Sequence, residues 1–217
     1  MAQGGSRRVG RPSRNVLDRD RIFRAALDLV DRGGAEALTM MRLATKLGVE
    51  PASLYNHVSG RHDIVEGVRG LIVTSIALPD FSTQTWVEAL RTWANGYRSA
   101  LAAHPRSIQI LATTPIRSEH SMLMYEEIVK GLRNAGWPIE QIADVLTTLE
   151  SFLIGSALDL AAPSLMYDAQ DRSAEYPQLV EALGGPNSQA GRADRAFEFG
   201  LDLLLTALES KHPGPNA

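Results

Sequence analysis

Ser53, Tyr55, Asn56 and His57 put a hydroxyl, a phenol, a carboxamide and an imidazole within five positions, with no formal charge among them. Such side chains suit reading rather than reacting. Asn pairs with adenine in a bidentate way, Ser and His donate to bases or phosphates, and Tyr carries a hydroxyl to a phosphate on a stiff ring. Upstream, Thr39 is placed to cap a short helix whose Met40, Leu43, Ala44 and Leu47 face inward, and Gly48 stops it. Pro51 suits the first turn of the next helix. Leu54 and Val58 face inward there, which turns the four polar residues outward. Two short helices joined by a glycine turn, the second with a polar outer face, form the layout of a helix-turn-helix, whose second helix enters the DNA major groove. The DNA-contacting set expected on these grounds is Thr39 and Arg42 on the backbone, Pro51, Ala52, Ser53, Tyr55, Asn56 and His57 on the recognition helix, and Arg61 beside His62 where the following helix begins. Backbone N–H groups at such a helix start favour an anion, and Arg61 adds charge.

Nothing comparable points to catalysis. There is no Gly-x-Ser-x-Gly, Ser-x-x-Lys, phosphate loop or glycine-rich dinucleotide motif. Glu126, Glu127, Glu140 and Glu150 lack the Glu-x-x-His spacing of a di-iron bundle. The chain has no cysteine, hence no disulfide and no thiolate metal site, and its five histidines show no metal pattern. An enzyme, a cofactor and a metal are therefore not expected. No apolar run approaches the ~20 residues of a membrane span, and the first residues lack the apolar stretch of a signal peptide. The expected location is the cytoplasm, with no membrane partner.

Net charge is −3, which by itself does not suggest a nucleic-acid partner. The distribution does. Residues 1–62 hold eleven Lys and Arg against six Asp and Glu, and residues 63–217 hold eleven against nineteen. A basic head on an acidic body is the asymmetry of a protein with one end on phosphate. Residues 1–17 carry Arg7, Arg8, Arg11 and Arg14 among Gly, Ser and Pro with no acid. That composition cannot bury a core, so a disordered basic arm is expected, with Gly10-Arg11-Pro12 as a candidate minor-groove grip. A plain solubilising tail is the alternative.

The elements that must position the polar cluster are helical throughout. Asp18 can cap a helix through Asp31, with Ile22, Ala25, Ala26, Leu29 and Val30 on one stripe and Gly33-Gly34 ending it. The third helix should run from Pro51 to Ser59-Gly60, and a fourth from Arg61 through Ile76. Periodicity predicts further helices from Trp86 to His104, from Ser107 to about Thr113, and from Met122 to Gly136. Two more are expected over 138–162 and 192–210, with one short helix at 178–183. The fold class is all-α: a three-helix helix-turn-helix head over 18–62 behind the arm, and a larger body over 63–217 for ligand binding and dimerisation. Helices 138–162 and 192–210 suit a four-helix interface in a homodimer, which a reader of a palindromic operator needs.

Ala44-Thr45-Lys46-Leu47-Gly48-Val49, then Ser53-Leu54-Tyr55-Asn56-His57-Val58, followed by Arg61 and Ile64, resembles the DNA-binding head of the TetR family of repressors. Tyr97–Leu101, Thr113-Thr114-Pro115 and Phe199–Leu204 resemble the body of the tetracycline-repressor subgroup. The resemblance implies an all-helical homodimer that binds operator DNA and is released by a small effector. Tyr55, His57 and Arg61 match the family's positions, Arg61 as its phosphate-binding residue. Met41 stands where the tetracycline repressor has a base-reading arginine, and Asn56 where it has tryptophan, so the operator should differ.

The effector pocket is expected between the helices starting near 86, 107, 119 and 138. Its expected lining is Trp93, Tyr97, Ile110, Thr113, Thr114, Met122, Tyr125, Ser151, Phe152 and Gly155, mostly apolar with a few hydroxyls. Ile110 stands where the tetracycline repressor holds magnesium and drug through a histidine. Asp159 could replace a nearby acid, but a metal-bound drug is not expected, and a mostly apolar or aromatic effector is. The alternative is a helical small-molecule-binding protein of the same fold without DNA-binding activity.

Overall fold

Asp18 accepts the Arg21 backbone N–H at 2.8 Å and so starts α1, Arg19–Gly33. The stripe Ile22, Ala26 and Val30 is buried at four-residue spacing, and Gly34, at φ 71°, ends the helix in a conformation that side chains avoid. A single 3-10 turn, Ala35–Ala37, follows; nothing in the periodicity marks it. Thr39 caps α2, Met40–Leu47, by accepting the Arg42 N–H at 3.2 Å. Gly48 then turns the chain at φ 69°, ψ 36°. Helix α3 is Pro51–Leu54, shorter than the expected run to Ser59. Beyond it, the His57 and Val58 N–H groups both bond to the Leu54 carbonyl at 2.9 and 3.0 Å, so Tyr55–His57 form a turn that extends the helical arc.

This computed structural model describes residues 17–163, 173–183 and 191–214. The basic arm, with Arg11, lies outside them. Helix α4, Arg61–Val73, stops short of the expected Ile76. The Thr74 and Ser75 hydroxyls fold back onto the carbonyls of Leu71 and Ile72 at 2.8 and 2.7 Å and compete with continued helix. The body follows as α5 (Trp86–Ala102), a 3-10 turn at Pro105–Ser107, α6 (Ile108–Ala112), α7 (Glu119–Asn134) and α8 (Ile139–Leu160). Helices α9 (Pro177–Leu183) and α10 (Arg192–Lys211) complete it. All regular elements among the described residues are helices, and none is long and apolar enough to cross a membrane.

One continuous core runs from Ile22 in α1 to Leu205 in α10. The expected boundary at residue 62 falls inside the first turn of α4, whose Ile64, Val65 and Val68 pack against α1 while Ile72 packs into the body. Helix α1 also meets the body at the Pro105–Ser107 turn, where Asp31 pairs with His104 at 2.9 Å and Arg106 donates to the Arg32 carbonyl. In the body α5 lies along α8, and α10 packs against both, with Arg91 and Arg98 of α5 paired to Asp202 and Asp194 of α10. The end of α10 is held by His212, which stacks on Trp86 (centroids 5.5 Å, planes 22° apart) and meets Trp137 edge-on.

Helix α8 buries Ile142, Val145, Leu149, Leu153 and Ala157 on one face. On α10, Phe199 is 69% and Leu203 56% exposed, while Leu158 of α8, 47% exposed, lies beside Ile154 in the groove against Gly33–Ala35 and Pro105. Two large apolar side chains exposed one turn apart on a long helix mark an interaction face.

The α1–α4 crossing depends on Gly67, where a Cβ would lie 2.3 Å from the Phe23 ring. Gly67→Ala should destabilise the chain by about 1–3 kcal/mol through overpacking, read as a lower denaturation midpoint with an unchanged m-value.

Candidate DNA-reading head and effector cavity

Burial separates the two faces of the head cleanly. Leu43, Ala44, Leu47, Leu54 and Val58 are buried, whereas Thr39, Arg42, Ala52, Tyr55 and Asn56 are exposed and Pro51, Ser53 and His57 half-buried. Tyr55 is 57% exposed and Met41 67%. The structure therefore brings the expected recognition residues to one end of the molecule, with Arg42 beside them and making no side-chain hydrogen bond or ion pair among the described residues. Lys46 is engaged elsewhere, in an ion pair with Asp28 of α1.

Arg61 departs from expectation. Its Nε and Nη2 donate to the carbonyls of Leu38 and Ala35 at 3.4 and 3.3 Å. The guanidinium ties the start of α4 to the turn before α2, sharing the Ala35 carbonyl with the Leu38 N–H.

Sequence spacing missed the clamp that holds the recognition segment. Arg19, at the start of α1, donates to both oxygens of Asp63 at 2.6 and 3.0 Å and to the His57 carbonyl at 2.7 Å. Asp63 also accepts the Ser59 N–H at 3.0 Å. One bidentate pair thus joins α1, the end of the recognition segment and the start of α4. The Arg19 bond holds the Asp63 carboxyl below the usual carboxylate range, against a partial rise from burial, with the Ser59 N–H assisting. The partners are 44 residues apart, a separation with no sequence signature.

In the body, α4 to α8 enclose a cavity of about 150 Å³ lined by Arg69, Ile72, Tyr97, Leu111, Thr114, Tyr125 and Glu150, among others. Tyr97, Thr114 and Tyr125 belong to the expected lining. The rest of that set is dispersed. Trp93 is fully buried core and Ile110 is buried off the cavity wall. Thr113 lines a separate groove between the Gly33–Ala35 turn and the Pro105–Ser107 region. Met122 is 53% exposed. Ser151, Phe152 and Gly155 lie on the opposite side of α8, against α10. The reason is rotational: α8 is apolar nearly all round, so periodicity does not say which side meets α5 and which α10. Among the described residues no three His, Cys, Asp or Glu side chains gather as metal ligands, and Asp159 pairs with Arg192.

Arg69 joins the cavity to α4. Its Nη2 donates to the carbonyls of Leu111 and Thr114 at 2.9 and 2.7 Å, and its Nε to Glu66 at 2.8 Å. Glu66 also accepts the N–H groups of Arg117 and Ser118. Both side chains are 7% exposed. Burial would raise the Glu66 carboxyl, but the Arg69 and backbone hydrogen bonds outweigh it and leave it below the usual range.

A helix-turn-helix head joined through α4 and the α1 contacts to a cavity-bearing helical body has the architecture of a transcriptional regulator. The comparisons agree. The family described as tetracyclin repressor-like, C-terminal domain, matches residues 78–212. The class E tetracycline repressor protein of Escherichia coli is 29% identical over 196 residues, covering 87% of this chain and 89% of that one. An HTH-type transcriptional regulator of Saccharopolyspora erythraea is 26% identical over 203 residues, 89% of this chain and 85% of its own. Among solved structures, the TetR family protein ActR of Streptomyces coelicolor in complex with actinorhodin superposes with a TM-score of 0.76 at 27% identity, covering 94% and 100% of the two chains. The chain belongs to the tetracyclin repressor-like family and is a TetR-family transcriptional regulator.

Two outcomes test these contacts. Because the folded Asp63 pKa is depressed, its stabilisation is present above the unfolded value of about 4 and is lost as pH falls through the folded value. Asp63→Asn should cost about 1 kcal/mol at neutral pH, and denaturant melts should show the gap closing below about pH 4. Arg69→Met leaves Glu66 buried and unpaired and should cost about 3–5 kcal/mol. Adding Glu66→Gln should recover most of that loss in the same melts.

Proposed function

We propose that the chain is a cytoplasmic repressor that binds a palindromic operator as a homodimer and is released when a small, mostly apolar or aromatic effector fills the body cavity. The observation that carries this reading is the double duty of α4. Its first turn, through Asp63 and Arg19, holds the recognition segment, and its last two turns, through Arg69 and Ile72, wall the cavity.

The dimer forms through the exposed apolar face of α8 and α10, which contains Phe199 and Leu203. Two-fold pairing of those helices presents two heads to half-sites roughly 34–36 Å apart. Tyr55, Asn56, Ser53 and His57 face the groove and Thr39 and Arg42 the backbone, with Pro51 and Ala52 bringing the segment close. Arg61 acts mainly by bracing α4 against the head. The arm with Arg11 adds counterion-dependent affinity.

An effector that displaces the carbonyls of Leu111 and Thr114 moves Arg69, and with it α4 and the head. A ~100-fold loss of operator affinity requires about 2.7 kcal/mol of coupling, and operator DNA must weaken effector binding by the same factor. Similarity to the tetracycline repressors and to ActR in complex with actinorhodin supports a ligand-responsive regulator.

The test is a gel shift on operator DNA from beside the chain's own gene, with sedimentation as control. Wild type should shift it as a dimer. Tyr55→Ala with Arg42→Ala should lose at least ~100-fold in affinity, roughly 2.7 kcal/mol, and remain dimeric. Unimpaired binding by the double variant would refute the head assignment. No shift by wild type would favour a ligand-binding protein of this fold without DNA-binding activity.

A further inference from the structure

Glu150 is a carboxylate that neither the head nor the α4 linkage uses. It stands on α8 in the wall of the 150 Å³ cavity. Its Oε1 accepts the Tyr97 hydroxyl at 3.2 Å and the Tyr125 hydroxyl. No hydrogen bond from the described residues reaches Oε2, which stays open to the cavity and solvent. The phenols do not share its charge. Burial, and then the neighbouring negative charge, push both tyrosines well above their ordinary range, so they stay protonated and donate.

Arg69 is the other charged residue on this wall, and its guanidinium is already met by Glu66 and two carbonyls. Glu66 and Arg69 cancel. The enclosure therefore carries one net negative charge, on Glu150, amid Ile72, Leu101, Ile108, Leu111 and Ile154. A carboxylate oxygen with no donor on a largely apolar wall favours a cation or a donor as its partner. A cavity of about 150 Å³ is large enough for one benzene-sized ring.

We infer that the effector is a compact apolar or aromatic molecule bearing a protonated amine, with its ammonium on the free oxygen of Glu150 between Tyr97 and Tyr125 and its hydrocarbon part against Ile72 and Ile108. This deepens, and rests on, the reading of the cavity as the effector site. It selects by charge: the tyrosines pre-orient the carboxylate, and an anion of the same shape meets repulsion.

Calorimetric titration of the full chain at pH 7 with benzylamine, benzyl alcohol, toluene and benzoate tests this without DNA. Benzylamine should bind at least about tenfold more tightly than toluene, a difference of about 1.4 kcal/mol, with benzyl alcohol between them and benzoate weakest. Glu150→Gln should bring benzylamine down to the level of toluene. Benzoate binding as well as benzylamine, an amine preference that survives Glu150→Gln, or binding of none of the four at millimolar concentration would overturn the inference. The wild-type series is decisive even if the variant fails to fold. Amine preference in a chain that does not shift operator DNA would uphold the cation site and overturn the regulator reading instead.

Discussion

Helix α4 buries two opposite charges three residues apart, and each is satisfied by backbone from another part of the chain. Glu66 takes two N–H groups from the start of α7, and Arg69 gives to two carbonyls at the end of α6. Ions in this setting are tolerable only while every partner is in place. The positions of α4, α6 and α7 are therefore set together rather than pair by pair. The cavity is the space these helices leave beside α5 and α8, and the head is whatever rides on the other end of α4.

At the head end the same logic is repeated near the surface. Arg19 and Asp63 join three segments, and Arg61 joins α4 to the turn before α2. Three basic or acidic side chains in the head are thus spent on geometry, while the exposed Tyr55, Asn56 and Arg42 remain for a partner. The recognition segment needs such support because its own helix is one turn long, too short to be stable without tertiary contacts.

In the body, α8 works on two sides. Glu150 and Ile154 face the cavity, while Ser151, Phe152 and Gly155 face α10 and the surface continuous with Phe199. Cavity and interaction face are separated by the thickness of one helix. Gly200 lets α10 approach, since a Cβ there would lie 2.7 Å from the Phe152 ring.

Much was legible in the sequence. Its capping residues, glycines and apolar stripes marked α1, α2, α5, α8 and α10 nearly to their ends, because these signals act within one or two turns. The polar outer face of the head followed from Leu54 and Val58 alone. The cavity is legible only in small part: Tyr97, Thr114 and Tyr125 of the expected lining reach it, its charged residues Arg69 and Glu150 carry no signal as lining, and Ser151, Phe152 and Gly155 stand on the far side of α8. Periodicity assigns a residue to a face of its helix, not to a neighbour. The partners of Arg69 and Glu66 lie 42 to 52 residues away, and Glu150 meets Tyr97 across 53. The sequence by itself determined most of the helices, their order and the polar outer face of the head. Only the tertiary structure decided which charges meet, since that depends on how each helix is rotated against the others.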